Sequence, residues 1–343
     1  MTAATTSAIL SVRPLGFPWE TADPFLFCAY HDDAYPRGNG ALGPAVSLAG
    51  RDIGQDFSRK DGWSMYHGDS VPGFPAHPHR GFETVTIVRK GLIDHSDSLG
   101  ATARFGGGDV QWVTAGRGLV HSEMFPLLKT GEDNPLELFQ IWLNLPQRSK
   151  MAEPHFTMLW NAQIPRLVLA DADGRKTEVA VIAGRFGDVA PLPAPPDSWA
   201  AQAEADVAIW TLRMEPGAGL QLPPATLADT RRTLYFFKGD SAMVGDRNVQ
   251  GPVAITLDAG VEVGLLAGDT ACEFLVLQGR PIGEPVAQYG PFVMNTQQEI
   301  AQAMQDYRRT QFGGWQFADA APVHGSEPVR FARYPDGREE RPE

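Results

Sequence analysis

The chain has 343 residues, a mass of 37.3 kDa and a formal net charge of −12, with 43% hydrophobic and 20% charged residues. That length favours two domains, and that composition excludes a disordered chain. The acidic balance, with no basic run longer than two residues, excludes a sequence-independent nucleic-acid or membrane-surface binder. No apolar stretch approaches the roughly 18 residues of a membrane span. Met1–Leu10 lacks a basic stretch followed by an apolar core, so no signal peptide is expected. Cys28 and Cys272 are too few for a secreted disulfide framework. They are expected to be buried small side chains in a reducing, cytoplasmic setting.

In chain order, the region from about Ala45 to Leu145 reads as short strands. Thr84–Val88 is β-branched and ends at Lys90-Gly91. Asp109–Val113 follows the Gly106–Gly108 turn, and Leu136–Leu145 stops at Pro146. The 36 glycines and 28 prolines cut the chain into segments suited to an all-β sandwich or barrel. Pro191–Pro196 cannot lie within a sheet and is expected to be an exposed loop. A second β run, about Val207 to Gly279, contains Thr233–Phe237 and Glu273–Leu277. Gly73 and Gly219 each open a segment that reaches a Lys-Gly turn after a β-branched or aromatic strand, so the two runs look like copies of one unit. The expected domains are 1–150 and 151–343. Thr296-Gln297-Gln298-Glu299 has capping-box spacing, with Ile300, Met304 and Tyr307 on one helix face and Gly313-Gly314 as the stop. The charged tail after Phe331 is expected to fray.

Seven of the eight histidines lie in the first 155 residues, and the second β run has none. Any imidazole metal centre therefore belongs to the first run. In His77-Pro78-His79, Pro78 favours extended backbone, and residues i and i+2 of a strand share a face. His121 and Glu123 repeat that spacing behind Gly116-Arg117-Gly118. If their strands are neighbours, three imidazoles and one carboxylate converge. Nitrogen and oxygen without thiolate suit Fe(II), Mn, Ni, Cu or Zn. An octahedral ion would keep two open positions; a tetrahedral Zn would be saturated and structural. His95, within Asp94-His95-Ser96-Asp97, reads as part of a solvated turn. His67 is placed at the mouth of the site, and His31 and His155 on the surface or in packing. Glu83 is either an acceptor orienting a ligand His or a partner of Arg80 or Arg117. Phe74, Trp112 and Met124 are candidates for an apolar mouth.

The run from His77 to Val85 (HPHRGFETV), Asp94-His95 with Asp97-Ser98, and the run from Gly108 to Met124 (GDVQWVTAGRGLVHSEM) resemble the signature of the pirin family. Asp23-Pro24-Phe25-Leu26, Gly290–Thr296 and Phe312–Trp315 extend the resemblance over nearly the whole chain. Pirins are bicupins. The resemblance implies two tandem cupin β-barrels with a C-terminal helix, the first metal-binding and the second metal-free. Aligning Gly73 with Gly219 puts Pro223 and Ala225 where His77 and His79 stand. His77, His79, His121 and Glu123 then correspond to the family's iron ligands, with one Fe(II) per chain. Glu83 falls where other cupins, but not pirins, carry a ligand Glu. Several pirins resemble quercetin dioxygenases, which open a flavonol ring with O2 and release carbon monoxide. That implies a small flavonol-like aromatic substrate, with Glu123 as ligand and general base. Family members also serve as iron-dependent redox regulators with a protein partner, a non-catalytic alternative. A structural zinc bicupin is the third reading.

Overall fold

A computed structural model describes residues 7–342. The described residues are almost entirely strand and loop, with one α-helix, Gln297–Thr310, and a few single-turn 3-10 segments. No described helix is long and apolar enough to cross a membrane.

Two compact units form, and neither is a continuous stretch of sequence. One combines residues 29–162 with 284–343; the other combines the segment up to Cys28 with 163–283. The division expected at residue 150 is therefore corrected at both ends of the chain. The reason lies in edge strands, whose unpaired backbone groups need cover. Ile9–Pro14 pairs with Val253–Leu257, Val12 opposite Ile255. Phe331–Arg333 pairs with Thr102–Gly106, Phe331 opposite Arg104. Distant chain ends thus complete the sheets. The tail does not fray: Arg333 pairs with Glu339, and the Trp160 indole and Tyr334 hydroxyl both donate to Glu340 Oε2, at 2.8 and 2.9 Å.

In the unit with residues 29–162, one sheet has the order His155–Leu159, Val110–Thr114, Phe82–Lys90, Leu136–Asn144, Phe25–Asp33. The other runs Glu339–Glu340, Phe331–Arg333, Thr102–Gly106, Leu92–Asp97, Leu119–Met124, Gly73–His79. Between them lies a core that includes Val88, Phe105, Val113, Leu119, Leu138 and Phe156. The second unit repeats the scheme. Its Arg231–Lys238 strand lies between Val253–Leu257 and Cys272–Gly279, as Phe82–Lys90 lies between Val110–Thr114 and Leu136–Asn144. Its core includes Trp210, Leu212, Leu234, Phe236, Ile255 and Phe274. The sheets of each unit remain separate rather than closing into one hydrogen-bonded barrel, and the arrangement fits the cupin fold.

The helix begins where its sequence signals. The Thr296 side chain accepts from Glu299 N–H, and Glu299 Oε2 accepts from Thr296 N–H at 2.8 Å. Ile300 and Ala303 are buried against Phe292 and Met294, with Met304 and Tyr307 alongside. It ends before the expected glycines, at Gln311, whose φ is 48°. Residues 190–196 form no strand, as expected, although Pro195 is buried. Cys28 and Cys272 are both free and buried.

Candidate metal centre

Three strands of the six-stranded sheet build the site. Gly73–His79 pairs with Leu119–Met124, placing His77 directly opposite His121 and Phe74 opposite Glu123. On its other side Leu119–Met124 pairs with Leu92–Asp97, placing His95 opposite Glu123 and Asp97 opposite His121. Paired residues in an antiparallel ladder share a face. Five polar side chains thus face the interior of one unit together. Close approach of the first two strands depends on Gly73, at φ +134°. A Cβ there would stand 2.5 Å from Glu123 O and 2.8 Å from Met124 Cα.

His77, His79 and His121 form the one group among the described residues able to hold an ion. Their ligand atoms all lie within 4.8 Å of one another. His77 Nδ1 donates to Pro75 O at 2.9 Å, which fixes its tautomer and leaves Nε2 with a lone pair. That Nε2 lies 3.0 Å from His121 Nε2. Burial pushes the His77 pKa down to about 4 and holds those of His79 and His121 well below the usual range. At neutral pH all three are uncharged imidazoles, the form that coordinates metal. His121 Nδ1 is buried without a protein partner. Neutral, mutually aimed imidazoles fit a divalent transition ion and fit Ca or Mg poorly.

Glu123 lies at the edge of this group. Its Oε2 is 3.9 Å from His121 Nε2 and accepts from Gln140 Nε2 at 2.6 Å; Thr86 Oγ1 lies 3.4 Å from Oε1. Burial raises its pKa. Gln140 and Thr86 come from the five-stranded sheet, and they pair with each other across it. They escaped sequence reading because only the cross-strand register brings them to Glu123.

Other expectations change. His95 is fully buried within a strand, not in a solvated turn. Its Nε2 lies 3.0 Å from Asp97 Oδ2, and its ring centroid is 5.5 Å from that of His121. Asp94, whose polarity suggested solvent, is instead paired in a buried fork with Arg104 at 2.7 and 2.6 Å. Glu83 accepts from Thr114 Oγ1 at 2.7 Å. Arg80 binds Asp306, and Arg117 pairs with Glu153. Strand alternation puts Glu83 and Trp112 on the opposite sheet face from Thr86 and Gln140. Met124 likewise points away from Glu123, into a cluster with Leu42 and Val71. Phe74 alone of the three apolar candidates neighbours a ligand, its ring 6.3 Å from His77. His67 stands beside Phe74, the ring centroids 5.7 Å apart. His31 is buried, bonded to the Tyr66 hydroxyl at 2.8 Å, and His155 is exposed.

The C-terminal segment closes this unit around the site. Ala76 N–H donates to Ala320 O at 2.7 Å, and His324 Nε2 lies 2.8 Å from His95 O. Phe312 packs where Gly118 leaves room.

Known proteins resemble this chain over most of its length. The pirin family model matches residues 18–143, and the pirin C-terminal cupin domain matches residues 209–313. A Pseudomonas aeruginosa protein named "Putative quercetin 2,3-dioxygenase PA2418" is 38% identical over 242 residues, covering 70% of this chain and 79% of that protein. Pirin-1 of Arabidopsis thaliana is 36% identical over 247 residues, covering 70% and 78%. A crystal structure of quercetin 2,3-dioxygenase from Acinetobacter baumannii matches with a TM-score of 0.68 at 27% identity, covering 89% of this chain and 98% of that one.

Proposed function

This chain belongs to the pirin family of bicupins, and on that premise we propose that it is a dioxygenase that opens a flavonol ring with O2 and releases carbon monoxide. In this reading one Fe(II) per chain is held by His77, His79, His121 and Glu123, and the 163–283 unit takes none. The observation that carries it is the convergence of three neutral imidazoles, two of them buried and one partly exposed, with a buried carboxylate 3.9 Å from one of them. The bound ion supplies Lewis acidity and a template for substrate and O2.

The protein supplies the rest. Burial raises the Glu123 pKa, which brings the carboxylate toward the range of a general base for the flavonol hydroxyl. Gln140 holds Oε2 and so fixes the direction from which Glu123 meets a proton. Asp97 holds His95 beside His121, keeping that wall of the site rigid and polar. Free, buried Cys28 and Cys272 support a reducing, cytoplasmic setting.

The test is anaerobic reconstitution with Fe(II), then oxygen uptake and carbon monoxide release across a flavonol panel. Stoichiometric uptake and release supports the reading. No uptake by iron-loaded protein on any flavonol rejects it and leaves an iron-dependent regulator.

A further inference from the structure

Exposure around the three imidazoles is uneven. His79 and His121 are buried, while His77 retains partial exposure. Access to the site therefore runs past His77. From it a continuous row of rings leads outward: Phe74 at 6.3 Å from His77, His67 at 5.7 Å from Phe74, and Phe57 at 5.1 Å from His67. Phe57 ends the row at the surface, 46% exposed.

A single exposed Phe needs no explanation. This one sits on a segment fixed in advance. The adjoining Asp56 accepts from Arg51 Nη1 and Met65 N–H, each at 2.9 Å, and its backbone bridges to Tyr66. Tyr66 is held in left-handed backbone at φ 57° and stacks on Phe74 at 5.1 Å. Such conformations in a bulky residue persist where the surroundings impose them, and they cluster at ligand clamps. His67 Nδ1 donates to Gly54 O at 2.8 Å, which leaves its Nε2 as an acceptor beside the aromatic row.

We propose that Phe57 and His67 select the substrate of the His77 site. Phe57 packs on one ring of a flat aromatic ligand, and His67 Nε2 accepts a hydrogen bond from a phenolic hydroxyl. This rests on the flavonol reading of that site and adds which residues read the ligand. An aromatic platform and one polar acceptor, both preset, bind a planar hydroxylated ligand at little ordering cost.

The test is anaerobic binding of quercetin and of 3-hydroxyflavone, which lacks the additional hydroxyls, to iron-loaded full-length protein, followed by ligand absorption. Phe57→Ala raises both Kd values about tenfold, and Phe57→Trp restores them to within about twofold. His67→Phe keeps a ring but removes the acceptor. It raises the quercetin Kd roughly fivefold and leaves the 3-hydroxyflavone Kd within about twofold. Thermal unfolding of each variant checks the fold. Unchanged Kd values in Phe57→Ala, or equal weakening of both ligands in His67→Phe, would overturn the proposal. Variant-sensitive binding without oxygen uptake would remove the dioxygenase reading alone. Oxygen uptake with variant-insensitive Kd values would remove this inference alone.

Discussion

Lys150 ties the backbone next to the site to the returning C-terminal segment, and replacing it with Met has a calculable pH signature. The side chain is 1% exposed. Its Nζ donates to Gly81 O at 2.9 Å, Asn144 Oδ1 at 2.8 Å and Val293 O at 3.0 Å. Gly81 follows His79 by two residues, and Val293 N–H bonds Arg80 O at 3.0 Å. Lys150→Met keeps the volume and removes the donors. Three buried acceptors lose partners at roughly 1–3 kcal/mol each. Against this, burial pushes the Lys150 pKa from 10.5 down to about 8, so the wild type carries a charge penalty below pH 8. At about 1.4 kcal/mol per unit, that penalty is roughly 3 kcal/mol. Three such losses, less that penalty, leave the variant roughly 0–6 kcal/mol less stable at pH 7. Between pH 8 and 10.5 the unfolded chain binds the proton and the folded chain does not, so wild-type stability rises with pH. The variant lacks that rise. Urea unfolding of both proteins at pH 7 and pH 10 should show the gap widening by about 2.5 kcal/mol. A gap that stays constant or narrows would refute the assignment of Lys150 as a buried, partly neutralised anchor.

Gly73→Ala should cost roughly 1–3 kcal/mol, because its Cβ meets backbone at the Glu123 strand. Metal titration should also show affinity weakened at least about tenfold, since His77 shifts against His121. His121→Ala should abolish metal retention while far-UV circular dichroism stays native, because each unit has its own apolar core. Glu123→Gln should remain iron-loaded at saturating Fe(II) but lose about 10²–10⁴-fold in oxygen uptake. Wild-type turnover by iron-loaded Glu123→Gln would exclude Glu123 as the base.

Local pattern carried much of this architecture. A β-branched run marked Phe82–Lys90, aromatic and aliphatic runs marked Arg231–Lys238 and Cys272–Gly279, and the capping box located the helix to its first residue. The imidazole cluster was legible because strand periodicity is two and His77, His79 and His121 obey it. What failed was whatever depends on register between distant strands. Ile9–Pro14 and Phe331–Arg333 carry no mark of the edges they cover. Asp94 and Asp97 made His95 look solvated, yet Asp94 is forked to Arg104 and Asp97 Oδ2 lies 3.0 Å from His95 Nε2. Strict alternation counted from His79 would put Glu83 on the ligand face, but the turn at Gly81, whose φ is 87°, breaks the count.

X-ray absorption at the iron edge of Fe(II)-loaded protein, with metal content per chain measured on the same sample, tests the metal centre most directly. One ion per chain with three imidazole nitrogens in its shell, reduced on His77→Ala, is the result this structure predicts. Two tightly bound ions per chain, or an imidazole count unchanged by His77→Ala, would contradict it.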